Sequence, residues 1–452
     1  MKMLRTTVVL ALALVSPAAA DTITDAMAKA YVNNPDLNAA RAGLRAVDES
    51  VTIAKSGYRP QVSAVASATQ TRFDSEFQRR PQNFHQGSAG LTITQQIFDG
   101  FQTLNDVRAS ESTVLSSREN LKANEISILL SAAESYANIV RDQEVVGIRR
   151  QNLAFLKQQL KAANSRLTVG EGTRTDVSQA EAELANAKAL LATAVSQLKQ
   201  SEAVYVQVVG DAPRNIKAAS PAKNGMPRNM DQAVAAGFRD NPQIIAAEYA
   251  VDAAGYRVKQ AEGTMLPGVT IQGSVSRNTG DAASNGGIDN TSGSIVARLQ
   301  VPLYQGGAEY GQIRQAKERA GQQRIVVDSV RLDVQKTVIS AYAQLDAARA
   351  SIAANKEQIR AANQALAGVI EERKVGQRTT LDVLDAQQSV LVARESLAAS
   401  QRNAVVASYS LLASMGALTV RGQNLKVAEY RPEAHYEAVK NKWFGVSPPQ
   451  NR

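Results

Sequence analysis

The chain holds 452 residues with a formal net charge of +9, two histidines and no cysteine. Without cysteine it has neither disulfides nor a thiolate metal site, so stability rests on burial and backbone pairing. The basic residues are dispersed and aromatics make up only 5% of the chain, which is not the pattern of a nucleic-acid-binding stripe.

In chain order, Lys2 and Arg5 precede an apolar run from Thr6 to Val15, and Ala18-Ala19-Ala20 follows with an A-x-A pattern. This predicts a signal peptide over 1–20, cleaved after Ala20, because the run is too short for a membrane anchor. The exported remainder carries 49 basic and 42 acidic residues, a net charge of +7. It has no apolar run of 18 residues or more, which excludes a transmembrane helix. A membrane β-barrel stays open, because its signal per strand is weak.

The rest is one plan written twice. "NNPDLNAARAGLRAVDESVTIAKSGYRP" from Asn33 answers "DNPQIIAAEYAVDAAGYRVKQAEGTMLP" from Asp240, at a shift of 207. "QQIFDG", ending at Gly100, answers "VPLYQG", ending at Gly306, and Tyr136 answers Tyr342, both at a shift of 206. "VGEGTRTDV" from Val169 answers "VGQRTTLDV" from Val375 at the same shift. The expected organisation is a first repeat over 21–210, a Pro- and Asn-rich linker over 211–230, a second repeat over 231–420 and a tail over 421–452.

Each repeat reads as a short helix, two strands and two very long helices. The short helices run from about Asp36 to Gly57 and from about Gln243 to Gly263, and Pro60 and Pro267 end them in extended backbone. The strand pairs fall at about 61–98 and 268–304. In the second pair Val269, Ile271, Gly273 and Val275 share a face opposite Thr270, Gln272, Ser274 and Ser276. In the first, Leu91, Ile93, Gln95 and Ile97 oppose Thr92, Thr94 and Gln96. Period two with one apolar face, over about ten residues, suits a tilted membrane-spanning strand or a soluble antiparallel sheet. The connections "EFQRRPQNFHQG", which holds His85, and "NTGDAASNGGIDNTS" read as long polar loops.

The long helices are expected over about 101–209 and 308–415, each span broken once near Gly170 or Gly376. A helix of about 69 residues is roughly 100 Å long, deeper than a globular core. Apolar positions recur every seven residues: Val107, Val114, Leu121 and Ile128; Ile313, Ala320, Val327 and Val334; Val383, Val390, Leu397, Ala404 and Leu411. Sustained heptads mean helices lying along one another. If the strands are in lipid, four cannot close a barrel, and open edges would leave backbone groups unpaired. The chain must then pool strands with copies of itself. Two copies give eight and three give twelve, and periodicity does not choose.

The two repeats, the "NNP" and "DNP" starts, "QQIFDG", "VPLYQGG" and the paired "VG" phrases together resemble the TolC-type outer-membrane channels of efflux and type I secretion systems. The resemblance covers about Thr22 to Val420. It implies an α+β membrane protein that sits in the outer membrane of a Gram-negative bacterium with most of the chain in the periplasm. It also implies a homotrimer with a 12-stranded β-barrel continued by a 12-helix periplasmic α-barrel. The partners implied are outer-membrane lipid, a periplasmic adaptor protein, and an inner-membrane pump or ABC transporter. The cargo stays open among drugs, bile salts, siderophores, metals and secreted proteins. The tail, with Trp443 and Phe444, is expected to pack with the linker by the same analogy.

The repeated phrase sits at the two helix-to-helix corners. Gly170 and Gly376 suit the left-handed residue after a helix C-terminus. Thr175 and Thr380 are expected as N-caps, with Asp176 and Asp382 favouring the positive helix starts. Asp382 and Asp385 are spaced i, i+3 and share a helix face. Repeated around a trimer they would form an acidic, cation-selecting ring, and they match the family's tunnel-entrance aspartates. By the same resemblance Gly170 and Gly376 match adaptor-docking tip positions. Arg378 matches an arginine that ties neighbouring helices at the aperture, with Thr175 and Asp176 at its partner positions. An aperture tyrosine of the family is replaced by Arg373, for which a direct salt bridge to Asp176 is expected.

No catalytic constellation is recognisable. The sequence has no zinc spacing, P-loop, dinucleotide fingerprint or nucleophile elbow, and Glu371-Glu372 reads as a solvated pair, so neither an enzyme nor a cofactor is expected. The competing reading is a periplasmic adaptor, a coiled-coil binding protein. That would need one hairpin between halves of a β domain, whereas this chain has two hairpins and strands of bilayer length.

Overall fold

The computed structural model describes residues 21–74, 76, 81–280 and 288–449. The expected signal peptide over 1–20 lies outside the described residues. Two helices, α1 (Ile23–Asn33) and α2 (Pro35–Lys55), precede the strands β1 (Gln61–Phe73) and β2 (Gln82–Phe98). The long helices α3 (Gln102–Thr168) and α4 (Arg174–Val209) follow. The second copy repeats the order with α5 (Met230–Asp240), α6 (Pro242–Gly263), β3 (Gly268–Gly280), β4 (Ile288–Gln300), α7 (Ala308–Lys374) and α8 (Thr380–Ser414). A last helix, α9 (Pro432–Val439), lies in the tail.

Three differences from the sequence reading have local causes. Each opening helix is a pair, broken at Asn34 or Asn241, where the backbone turns extended before proline. The strand ends differ from what alternation suggested: β2 starts at Gln82, so His85 is a strand residue, and β4 runs Ile288–Gln300, short of the expected 304. Polar residues at the strand ends pair through backbone, which the hydropathy pattern does not register. The "NNP" and "DNP" phrases have a packing role. Asn34 accepts from the Leu37 N–H at 3.0 Å and donates to the Val208 carbonyl at 2.9 Å. Asn241 donates to the Ser414 carbonyl at 2.9 Å. Each buried asparagine ties the end of an opening helix to the end of the last long helix of its own repeat.

The chain forms two compact units. One contains residues to Ala40, Lys122–Pro242 and Arg331–Tyr430. Here the linker is fixed from two sides: Tyr136 donates to the Lys217 carbonyl at 2.8 Å, and Ala222 N–H donates to Ser408 Oγ at 2.8 Å. Burial pushes the Tyr136 hydroxyl up to about 12, which keeps it a donor. Lys29 pairs with Asp21 at 3.0 Å and with Asp211 at 3.1 Å.

The other unit contains Arg41–Leu121, Gln243–Val330 and residues from Arg431 on. Its strands make one antiparallel sheet in the order β1-β2-β3-β4, leaving β1 and β4 as edges. The register places Ser67 opposite Ser88, Ser274 opposite Ser294 and Ser276 opposite Ser292, and each pair shares a hydroxyl hydrogen bond of 2.8–3.0 Å. That face carries mostly Gln, Ser, Thr and Asn, with Val65, Phe73 and Val296 among them, and the Arg277–Asp289 pair lies on the other face toward the loop end. The opposite face carries Val62, Leu91, Ile93, Ile271, Val275, Ile295 and Leu299, all exposed. The turn into α3 explains "QQIFDG": Asp99 Oδ2 accepts from the Thr103 N–H at 2.6 Å, and Gly100 is left-handed at φ +68°. A Cβ on Gly100 would collide with the Gly263 carbonyl. The tail docks on α2, where Thr52 Oγ1 donates to the Val439 carbonyl at 2.8 Å and buried His435 Nδ1 meets Asp48 Oδ2 at 2.9 Å. No helix among the described residues is long and apolar enough to cross a membrane.

Candidate functional site

The two corners of the repeated phrase lie in the same unit and are built alike. At the first, the Glu171 N–H donates to the Arg166 carbonyl at 2.9 Å and the Gly170 N–H to the Leu167 carbonyl at 3.2 Å. At the second, Gln377 donates to Glu372 at 2.9 Å and Gly376 to Arg373 at 3.1 Å. This pair of bonds satisfies the last carbonyls of a helix and demands a left-handed residue, here Gly170 at φ +80° and Gly376 at φ +79°. Val169 and Val375 beside them are exposed.

The helix starts correct the sequence reading. The N-caps are Thr173 and Thr379, not Thr175 and Thr380. Thr173 Oγ1 accepts from the Asp176 N–H at 3.1 Å, and the Asp176 carboxylate accepts from the Thr173 N–H at 3.1 Å. Thr379 and Asp382 repeat the arrangement at 3.2 and 2.8 Å. The T-x-x-D spacing in both phrases carries this signal. Thr175 is exposed in the first turn of α4, whereas Thr380 is buried.

Thr380 links the two corners. Side-chain hydrogen bonds from Thr173 and then Thr380 hold the Asp176 carboxyl below the usual carboxylate range. The expected Arg373–Asp176 salt bridge is not made within the chain. Arg373 Nη1 instead donates to Gln159 Oε1 on α3 at 2.7 Å. Burial and the neighbouring charge of Arg166 push the Arg373 guanidinium down, and Asp176 acts in the opposite sense. Arg373 Nε and Nη2 are buried without a hydrogen bond among the described residues. A neutral amide is a weak partner for a half-buried cation, so the guanidinium is left under-satisfied.

Arg378 stays on its own corner. Its Nε donates to Glu372 Oε2 at 2.8 Å and its Nη1 lies 3.9 Å from Asp382 Oδ1. The Thr379 backbone and hydroxyl bonds hold Asp382 below its usual value, with Arg378 adding to the effect. Asp385 is exposed one turn on, and its carboxylate has no partner among the described residues. Val383 and Leu384 between them are buried, so both carboxylates share the outward face of α8.

Above the corners, Leu156, Leu184, Ala187 and Leu384 form an apolar cluster joining α3, α4 and α8. Beyond it a polar ladder joins α3 to α8. Gln387 Nε2 donates to Asn152 Oδ1 at 3.1 Å, Arg394 Nη1 to Gln151 Oε1 at 3.0 Å, and Arg149 Nη2 to Glu395 Oε2 at 2.7 Å. Sequence reasoning missed Gln159 and this ladder. The partners are more than 200 residues apart and carry no local pattern.

The arrangement can brace two helix corners together and present carboxylates on one face. It has no nucleophile–base pair, and no group of three His, Cys, Asp or Glu suited to a metal occurs among the described residues. A family model described as outer membrane efflux protein matches residues 26–211 and 239–417. The chain is 45% identical to the outer membrane efflux protein BepC of Brucella suis over 96% of its own length and 94% of that protein. It is 24% identical to the outer membrane protein TolC of Escherichia coli over 88% of its length and 83% of that protein. Its fold matches the solved CmeC outer membrane channel of Campylobacter jejuni with a TM-score of 0.77 at 14% identity, covering 93% of this chain and 89% of that one. The chain therefore belongs to the outer membrane efflux protein family, the TolC-type export channels of the Gram-negative outer membrane.

Proposed function

We propose that three copies of this chain, each freed of residues 1–20 on export, form one channel with its strands in the outer membrane and its helices in the periplasm. A four-stranded sheet with two unpaired edges and one bare apolar face supports this reading most strongly. In lipid the edges must pair, and pairing β4 of one copy with β1 of the next closes a twelve-stranded barrel. The hydroxyl-rich face then lines the pore and the apolar face meets lipid. Helix α3 leads from β2 to the first corner, and its 67 residues rise roughly 100 Å if straight. On the family resemblance, the corners are read as the inward end of the conduit.

At that end the corners act as a gate. The Arg373–Gln159 bond and the Asp176–Thr380 contact hold the two hairpins of one copy together, and the buried guanidinium nitrogens of Arg373 that lack a hydrogen bond leave this brace under-satisfied. Asp382 and Asp385, repeated three times, form a ring that attracts cations. The tips at Gly170 and Gly376 dock a periplasmic adaptor, which joins the channel to an inner-membrane pump or ABC transporter. The chain is a conduit, not an enzyme, and cargo selection rests with the pump.

Conductance of the purified oligomer in a planar bilayer under a salt gradient tests this. Small cation-selective steps are expected, with selectivity lost in Asp382→Ala/Asp385→Ala. Larger conductance is expected in Arg373→Ala and in Asp176→Ala. A well-folded oligomer that stays silent with and without Arg373→Ala would overturn the channel reading.

A further inference from the structure

The tail after α9 presents large apolar side chains to solvent while its backbone is firmly held. Arg59 Nη1 donates to the Lys442 carbonyl at 2.9 Å, and its guanidinium lies 4.8 Å from the centre of the Trp443 ring. With the Thr52 bond to Val439, this fixes the chain against α2. Yet Trp443 is 58% exposed, Phe444 is 86% exposed, and Val446 is fully exposed. Ile53, which lines a groove with them from α2, is also exposed. A tail that only needed to pack would turn these groups inward. An exposed apolar patch held in place by specific bonds calls for a partner.

The position of the patch identifies that partner. Arg59 is two residues from the start of β1, and Val62, the first residue of the bare apolar face, is three residues on, at most about 10 Å along the chain. Gln95 lies on that same face, next to Ile93 in the alternation, and its Nε2 donates to the Tyr58 carbonyl at 3.1 Å. The turn at Ser56–Tyr58 therefore sits on the lipid-facing side of the sheet's foot. Arg59 and Lys442 line the same groove as the aromatic pair, and Lys55 Nζ donates to Asn441 Oδ1 at 3.4 Å two residues before Trp443. Glu49 lines the same groove, and Glu437 pairs with Lys440 at 2.6 Å. From Lys440 to Pro449 the chain has two lysines and no acid. Trp443, with an apolar body and a polar N–H edge, is the type of ring that settles at a membrane–water boundary, and Phe444 beside it adds purely apolar surface. An anionic or zwitterionic headgroup layer offers phosphates to the cations and an apolar margin to the rings.

We propose that the segment 440–449 is an interfacial anchor that seats Trp443 and Phe444 in the phospholipid headgroup layer of the periplasm-facing leaflet, at the foot of β1. The proposal rests on the reading of the sheet as membrane-spanning. It adds a second contact with the bilayer, made by the tail outside the barrel. The anchor fixes how deep the barrel sits, because it cannot enter the hydrocarbon with its lysines or leave the boundary without exposing its rings.

Trp443 is the single tryptophan of the chain, so its fluorescence reports this site alone. The full-length oligomer is reconstituted in phosphatidylethanolamine–phosphatidylglycerol vesicles whose acyl chains carry bromine either near the glycerol or near the chain end. The expected result is loss of emission, greater with bromine near the glycerol, together with protection from aqueous iodide relative to the same protein in amphipol. Trp443 quenched by iodide and not by bromolipid is overturning, since the ring is then in water. Protection from both quenchers is equally overturning, since a neighbouring copy then covers the ring. A second protein, Trp443→Phe/Ile295→Trp, separates this from failure of the underlying reading, because Ile295 lies on the sheet's bare face. If Trp at 295 is quenched by bromolipid and Trp443 is not, the barrel stands and the anchor falls. If neither is quenched, both fall. A third protein, Phe444→Ser, should shift Trp443 toward iodide access while leaving channel conductance unchanged.

Discussion

Helices α3 and α7 are the same helix written twice at a shift of 206, and the chain treats them differently. Both keep one heptad row inside. On α7 it runs Ile313, Ala320, Val327, Val334, Ala341 and Ala348, all buried. But α7 also carries Ile325, Leu332 and Ile339, again seven apart and all exposed. Leu332 is 67% exposed, while Ile126, its counterpart on α3, is 7% exposed. Tyr136 on α3 is sealed under the linker, whereas Tyr342, its counterpart, is only half-buried. The repeat duplicates a backbone plan and not an environment. The linker exists once, and Tyr136 on α3 is the tyrosine that donates to it. Helix α7 keeps a bare heptad seam, which has the spacing a neighbouring helix would need.

Replacing the paired residues should give the largest effects and split them cleanly. Ile126→Ala should cost about 2–5 kcal/mol of folding stability, since it opens a cavity in a packed site. Leu332→Asp should leave the fold of the single chain almost unchanged and abolish the oligomer, because a charge buried between helices has no partner. Thermal unfolding of each variant, read beside its oligomeric state in detergent, checks both. If Leu332→Asp stays fully oligomeric, the exposed row on α7 is no seam, and the comparison loses its meaning.

Much of this was legible before any coordinates. The long helices announced themselves by length, heptads and missing proline, and the corner glycines by their place between two helical runs. The polar and apolar faces of the sheet followed from alternation in Val269–Ser276 and in Leu91–Ile97. Other features were not legible, for physical reasons. The helices α1 and α5 ahead of Asn34 and Asn241 are too short to announce themselves by length or heptads, and no local pattern shows that each asparagine serves two helices at once. The caps were placed one or two residues late because Thr173, Thr175, Thr379 and Thr380 all qualify by type, and only the T-x-x-D spacing chooses. Gln159 as the partner of Arg373 could not be read, because a glutamine on a long helix resembles every other solvated glutamine. The exposed row on α7 needed burial, which a single sequence does not contain.

The corners give a finer test, because here the copies agree. Gly170 and Gly376 share the same left-handed backbone, and a Cβ at either would meet nothing within 4 Å. Only backbone strain opposes alanine, so Gly170→Ala and Gly376→Ala should each cost about 1–2 kcal/mol of local stability and no more. Thr173→Ala and Thr379→Ala should each cost about 1 kcal/mol by removing a cap. Hydrogen exchange at the first turns of α4 and α8 would register both pairs. A glycine variant with unchanged exchange beside a cap variant with faster exchange would mean that the corner backbone can relax out of the left-handed state.

The smallest effect is the pH dependence of the gate, and its sign follows from Asp176. Its folded carboxyl lies below the ordinary value of 3.8 because Thr173 and Thr380 donate to the ionised form. A group depressed on folding contributes fully above its unfolded value and loses that contribution as pH falls through its folded one. Leakage should therefore be flat through neutral and mildly acidic pH and rise only below about pH 4. Because Asp176 is only part-buried, water and salt screen the effect and it should be shallow. Asp382 is depressed by its own cap in the same way, so on the proposed reading acid should also weaken a selectivity ring built from it. The two are separable: leakage reports Asp176, and the reversal potential under a salt gradient reports Asp382. In Asp176→Asn the acid rise in leakage should vanish from an already higher baseline, while the loss of selectivity at low pH should remain. If the acid rise survives that substitution, the pH sensitivity resides in another carboxylate, and the Asp176–Thr380 contact is not what closes the gate.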